Sequence, residues 1–199
     1  DMANALADFQ EALKALINDS DMMNAAAARG DLNVQIKTNN YRGDFATIAN
    51  GINGFAFRVR DALLDVNDKM DRLVRGDFQA QITNDYQGAF QITKTAINQL
   101  GTNMNNLIDD SNLMNVAASK GELDVRIDAR KYQGDFGKIA NGINDTMNVT
   151  VGVLRDIGNN LDRISNGDFT AQVTAEMNGD YMVLKTATNT LGTTLNNLI

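Results

Sequence analysis

One local pattern, a glycine followed by an acidic and then a large apolar residue, occurs four times in this 199-residue chain at a nearly constant interval. RGDLNVQI at 29–36 returns as RGDFQAQI at 75–82, KGELDVRI at 120–127 and NGDFTAQV at 166–173, with Gly30, Gly76, Gly121 and Gly167 spaced 46, 45 and 46 residues. A second set, Gly43, Gly88, Gly134 and Gly179, is spaced 45, 46 and 45. A period of this size marks an array of supersecondary units. A longer period of 91 is superimposed, because MNAAAARGDLNVQI with YRGDFATIANGIN matches MNVAASKGELDVRI with YQGDFGKIANGIN. The repeats therefore alternate in type, first with third and second with fourth.

Within each repeat the apolar period changes twice. Before Gly30 the steps are three and four, through Leu6, Phe9, Leu13, Leu16, Ser20, Met23 and Ala27, which is a heptad seam on a helix. After the glycine the period is two. Leu32, Val34 and Ile36 read as an extended connector whose alternate side chains pin it to neighbouring helices, as do Phe78, Ala80 and Ile82, Leu123, Val125 and Ile127, and Phe169, Ala171 and Val173. Gly30 and its equivalents fit the left-handed position that ends a helix. From Phe45 the heptad resumes through Ile48, Ile52, Phe55, Val59, Leu63, Val66, Met70 and Leu73 without a break, so the second helix of one repeat also serves as the first of the next. The seam returns as Phe90, Ile97, Leu100, Met104, Leu107, Ser111, Met114 and Ala118. It returns again as Phe136, Ile139, Ile143, Leu154, Ile157, Leu161 and Ile164, and closes as Tyr181, Leu184, Leu191, Leu195 and Leu198. The predicted division is the end of a preceding helix at 1–15 and repeats at 16–61, 62–106, 107–152 and 153–199.

Composition narrows the chemistry. The chain has no Cys and no His, which removes disulfides, thiol nucleophiles, His-centred triads and the usual zinc, haem and iron–sulfur ligands, so no catalytic residue, cofactor or metal is expected. With 18 Lys+Arg against 25 Asp+Glu the net charge is -7, opposite to the basic stripe of a nucleic-acid binder. Absence of Pro and an aromatic content of 6% suit long helices better than a β-sandwich or α/β fold. No apolar run approaches the roughly 18 to 20 residues needed to span a bilayer, and no signal peptide opens the chain. Both ends, Asp1 and Ile199, fall inside periodic helical sequence, as in a fragment of something longer.

A connector of about 14 residues, at roughly 3.3 Å per residue, can run back along a helix of about 15 residues, so its flanking helices can be parallel. Two helices with one narrow seam each cannot close a core. Pairing two chains gives four-helix bundles, and a parallel, in-register homodimer of stacked bundles is the simplest solution. A monomeric antiparallel bundle is the alternative, but the connectors lack the short turns such hairpins use.

These features together resemble the HAMP signal-relay domain. Gly30-Asp31-Leu32, Gly76-Asp77-Phe78, Gly121-Glu122-Leu123 and Gly167-Asp168-Phe169 match its helix-ending motif, and Val34/Ile36, Ala80/Ile82, Val125/Ile127 and Ala171/Val173 match its connector. The resemblance spans about 185 residues from Leu16 as four concatenated copies. It departs at the second helix, whose opening reads YRGDF, YQGAF, YQGDF and NGDY without the family's Asp-Glu pair, and it lacks the membrane-exit proline. Both departures resemble internal members of a poly-HAMP array. YQGDF followed by IANGIN looks most like arrays of bacterial methyl-accepting chemotaxis receptors, with poly-HAMP histidine kinases the nearest competitor. The resemblance implies an all-α array that catalyses nothing. It implies cytoplasmic relay of conformational change along a homodimer axis, between an upstream sensory module and downstream signalling helices. A ligand-binding helical sensor and a passive coiled-coil spacer are the readings from other classes.

The remaining motifs are weaker. Thr83–Gly88 resembles a Ca²⁺ loop, but Lys94 stands where the final Glu ligand belongs. Asp19, Asp109 and Asp110 read as solvated helix positions, and Ser20 and Ser111 as small polar residues that relieve packing on the seam. The methionines at or beside the seam read as adaptable core filler. Asn-rich stretches such as 103–106 and 159–160 weaken helix propensity, which suits an element poised between two packings.

Overall fold

A computed structural model describes residues 2–198; Asp1 and Ile199, where the chain reads as cut, lie outside the described residues. It is all-helical: α1 Met2–Ala27, α2 Gly43–Val74, α3 Gly88–Ser119, α4 Gly134–Ser165 and α5 Asp180–Asn196, with no strand among the described residues. The three central helices have 32 residues each, about 48 Å at 1.5 Å per residue. Each runs unbroken from one connector to the next, as the continuous seam predicts.

Helix ends follow from the glycines. Gly30, Gly76, Gly121 and Gly167 have φ of 81°, 86°, 83° and 91°, where a Cβ would be strained. At each of them the chain closes the helix with paired bonds: Gly30 N–H donates to Ala27 C=O at 2.9 Å and Asp31 N–H to Ala26 C=O at 3.0 Å, and the other three copies repeat this. Beyond the glycine the backbone is extended. Leu32 and Val34 are half-buried and Ile36 is buried, while Asp31, Asn33 and Gln35 face solvent, so the period of two is a period of burial. The first and third connectors also carry a short 3₁₀ turn, at Thr38–Asn40 and Ala129–Lys131, which the alternating pattern does not reveal. Those connectors hold one more residue between their glycines than the second and fourth, and the turn accommodates it.

The chain divides into two bodies, Asp1–Thr102 and Asn103–Ile199, each holding two helix–connector–helix repeats. In the first body, Leu16, Ile36, Tyr41 and Ala49 form a buried cluster, flanked by Met23, Phe45 and Ile52. The rings of Phe9 and Phe45 lie 5.5 Å apart, placing the start of α2 beside the upstream part of α1. In the second body, Leu107, Met114, Ile127, Tyr132 and Ala140 form one cluster and Val153, Val173 and Met177 another. Flanking helices are parallel, as expected: Tyr181 near the start of α5 meets Thr150 at 3.1 Å, and a Cβ on Gly192 farther along would stand 3.3 Å from Ile164.

Candidate functional site

The recurring unit is the junction of connector and helices, and the residue that fixes it is an asparagine. Asn53 reaches back 17 residues from α2 to Ile36, accepting from its N–H through Oδ1 at 2.9 Å and donating through Nδ2 to its C=O at 2.9 Å. A primary amide thus supplies both partners that an extended segment lacks when no strand lies beside it. Asn98 holds Ile82 at 2.9 and 3.0 Å, Asn144 holds Ile127 at 2.9 and 2.8 Å, and Asn189 holds Val173 at 2.8 and 3.2 Å. The sequence reading missed these residues. Their spacing of 45, 46 and 45 was the available signal.

Connector and upstream helix are joined by a tyrosine. Tyr41 Oη donates to Asp19 at 2.7 Å, Tyr132 to Asp110 at 2.8 Å, and Tyr86 to Asp65. Burial, then the adjacent carboxylates, push Tyr41 and Tyr132 up to about 12. Asp19 and Asp110 are therefore not merely solvated positions, because each accepts a half-buried hydroxyl. In the fourth repeat Met177 replaces the tyrosine and is buried instead.

Around this shared frame the repeats differ by type. Ala49 and Ala140 are fully buried in the first and third, whereas Lys94 and Lys185 take their place in the second and fourth and donate to connector carbonyls, at 2.7 Å to Asn84 and 2.7 Å to Ala175. Arg72 and Arg163 occupy the places of Ala26 and Ala117 and hold Asp77 and Asp168 at 2.6 Å. Hydrogen bonding to Arg72 keeps the Asp77 carboxyl below its usual range, and Thr170 with Arg163 does so for Asp168. Two clefts stand 91 residues apart, about 190 Å³ beside Asp65, Asp68, Lys69, Arg72, Gln81 and Thr83, and about 230 Å³ beside Asp156, Asn159, Asn160, Arg163, Gln172 and Thr174, the second also walled by Val173 and Ala175. The Ca²⁺-like loop around Asp85 donates no cluster: among the described residues no three acidic side chains are placed to hold a metal.

The seam positions are distributed unevenly within one chain. Leu16, Leu107 and Met114 are buried; Met23, Phe45, Ile52, Val59, Val66, Ile97, Met104, Phe136, Ile143, Ile157 and Leu195 are half-buried; Leu13, Ile48, Met70, Phe90, Ile139, Leu161, Leu184 and Leu191 are exposed. The connector positions Ile36, Ile82, Ile127 and Val173 are buried, and Leu32, Val34, Phe78, Leu123, Val125 and Phe169 are half-buried. No helix among the described residues is long and apolar enough to cross a membrane.

Comparison with known proteins agrees with this architecture. Neither a curated protein nor a solved structure matches the chain. The family model of the HAMP domain matches it twice, over residues 40–106 and 131–197, two stretches offset by the 91-residue period. Each match begins at the end of a first-type connector and takes in the second-type connector that follows it, and HAMP domains act as signal relays in receptors. The chain belongs to the HAMP domain family.

Proposed function

We propose that the chain is a non-enzymatic relay of four HAMP units, at 16–61, 62–106, 107–152 and 153–199. They work as a parallel homodimer in the cytoplasmic part of a chemotaxis-type receptor. The observation that supports this most is the row of exposed seam side chains, Leu13, Ile48, Met70, Phe90, Ile139, Leu161, Leu184 and Leu191, on helices whose other face is already covered by a connector. A second copy in register covers them. Conformational change then passes from a sensory module upstream to signalling helices downstream, with the long helices shared between adjacent units as the mechanical link. The likeness of YQGDF and IANGIN to chemotaxis receptor arrays favours that output over a histidine kinase.

The chain's lack of cysteine makes the test clean. Leu13, on the seam and 41% exposed, is changed to Cys and oxidised mildly. A parallel, in-register dimer links through its own copy within disulfide reach. Absence of linkage together with a solution mass of 21.7 kDa overturns the reading.

A further inference from the structure

The seam faces of the four helices that precede the connectors are not equivalent. Met23 and Met114 turn to their own connectors, in the clusters around Ile36 and Ile127. The seam position is the next residue along, and it is Asn24 and Asn115 in the first and third repeats but Met70 and Leu161 in the second and fourth. Four residues earlier the same alternation holds, with Ser20 and Ser111 against Val66 and Ile157. Asn24 and Asn115 are exposed in the single chain, and among the described residues nothing bonds their side-chain amides. A parallel seam built from four like repeats invites mispairing. The three central helices are equally long, so a second copy shifted by one whole repeat still lays helix on helix. Such a pair leaves one repeat uncovered at each end, and further copies can cover it, giving open-ended assemblies in place of a closed dimer.

We infer that Asn24 and Asn115 set the register of the homodimer by pairing across its axis with their own copies, so that a partner shifted by one repeat is rejected. This rests on the dimer reading above. In register each asparagine meets itself, an isologous contact in which each primary amide donates through Nδ2 and accepts through Oδ1. Shifted by one repeat, Asn24 meets Met70, Met70 meets Asn115 and Asn115 meets Leu161, and each layer buries an amide against a side chain that cannot bond it. A single asparagine in an apolar seam specifies register at a cost in stability. Alternation between repeats is what makes the device work here, because asparagine in every repeat, or in none, matches equally well in both registers.

Disulfides read the register. Leu13 and Val59 occupy equivalent seam positions one repeat apart, so heavy-isotope-labelled Leu13→Cys protein is mixed with unlabelled Val59→Cys protein, oxidised mildly, and its links sorted by mass. Expected are links between like positions. The mixed link, 13 to 59, forms only in the shifted pair. It should rise about tenfold or more when Asn24→Met and Asn115→Leu erase the alternation, and fall back when Met70→Asn and Leu161→Asn are added, which restores the alternation in reverse. A purely hydrophobic effect of the first two changes would not be undone this way. Should the swapped protein fail to fold, Asn24→Met alone serves: it keeps the Asn115 layer and is expected to stay in register, and a shift there overturns the inference. Mixed links in the native background, no rise in the double variant, or a swapped protein as shifted as the double variant also overturn it and leave the relay standing. Absence of every link, at a solution mass of 21.7 kDa, overturns the dimer reading and the inference with it.

Discussion

The third and fourth repeats share a helix, a glycine-ended connector and an asparagine clamp, yet they hold the connector down by different means. In the third, Ala140 lets the connector lie directly on α4, and Tyr132 ties it to Asp110 on the upstream helix. In the fourth, Lys185 bonds the connector carbonyls, Met177 packs where the tyrosine would be, and Asn160 is buried without a partner for Oδ1. The first and second repeats differ in much the same way, with Tyr86 retained in the second. A common backbone frame therefore tolerates two interiors, one apolar and fully paired, the other polar and frustrated. The comparison teaches that repetition of a fold does not require repetition of its interior.

The largest expected effect would break what the two types share. Asn144→Ala leaves the N–H and C=O of buried Ile127 unpaired and should cost about 3 kcal/mol, seen as a lowered urea midpoint. Asn98→Ala should cost as much, since the clamp does not depend on repeat type; a loss confined to one type contradicts this. Next comes a change that separates them. Gly101→Ala places a Cβ 2.9 Å from Phe78 O and should destabilise by about 2 kcal/mol, whereas Ala56→Gly at the equivalent site of the first repeat should cost about 1 kcal/mol, the ordinary helix penalty. Tyr132→Phe removes a hydroxyl donated to a carboxylate and should cost about 2 kcal/mol.

Alkaline titration sharpens the contrast by sign. Tyr41 and Tyr132 are raised from 10.0 to about 12, so their contribution is complete below pH 10 and is lost as pH rises from 10 to 12. Lys69, lowered from 10.5 chiefly by burial, behaves oppositely: stability rises with pH from its depressed value to 10.5. Local amide exchange across pH 9 to 12 should loosen 107–118 as pH rises. Lys69→Met should remove the alkaline gain of 62–73, where Tyr86 acts in the opposite sense, as it too is raised. The smallest effect belongs to the exposed pair Arg155–Asp124, 2.8 Å apart, for which Arg155→Ala should change stability by about 0.5 kcal/mol or less.

Much of this was legible in the sequence where a local rule governs. A left-handed glycine ends each of the first four helices, and the shift from a period near 3.5 to one of two locates every connector. The asparagine clamps were not legible by that route, because an Asn in a helix reads only as weak propensity until the chain is known to double back to it. Lys69 was hidden for a related reason. The heptad marks the face carrying Met70, but a connector laid along each helix creates a second buried face, and Lys69 and Ala49 lie on that one. A heptad marks one face per helix. The same geometry explains why Ile48 and Ile139 stand about half exposed beside Ala49 and Ala140, which are fully buried.

The relay itself is tested most directly by constraining one end and observing the other. Leu13→Cys protein is compared oxidised and reduced, with all nine native methionine methyls observed together. A relay predicts that the disulfide shifts signals repeat by repeat out to Met177 and Met182 in the fourth. Shifts confined to Met2, Met22 and Met23, with Met70 onward unmoved, would contradict it and leave the chain a spacer.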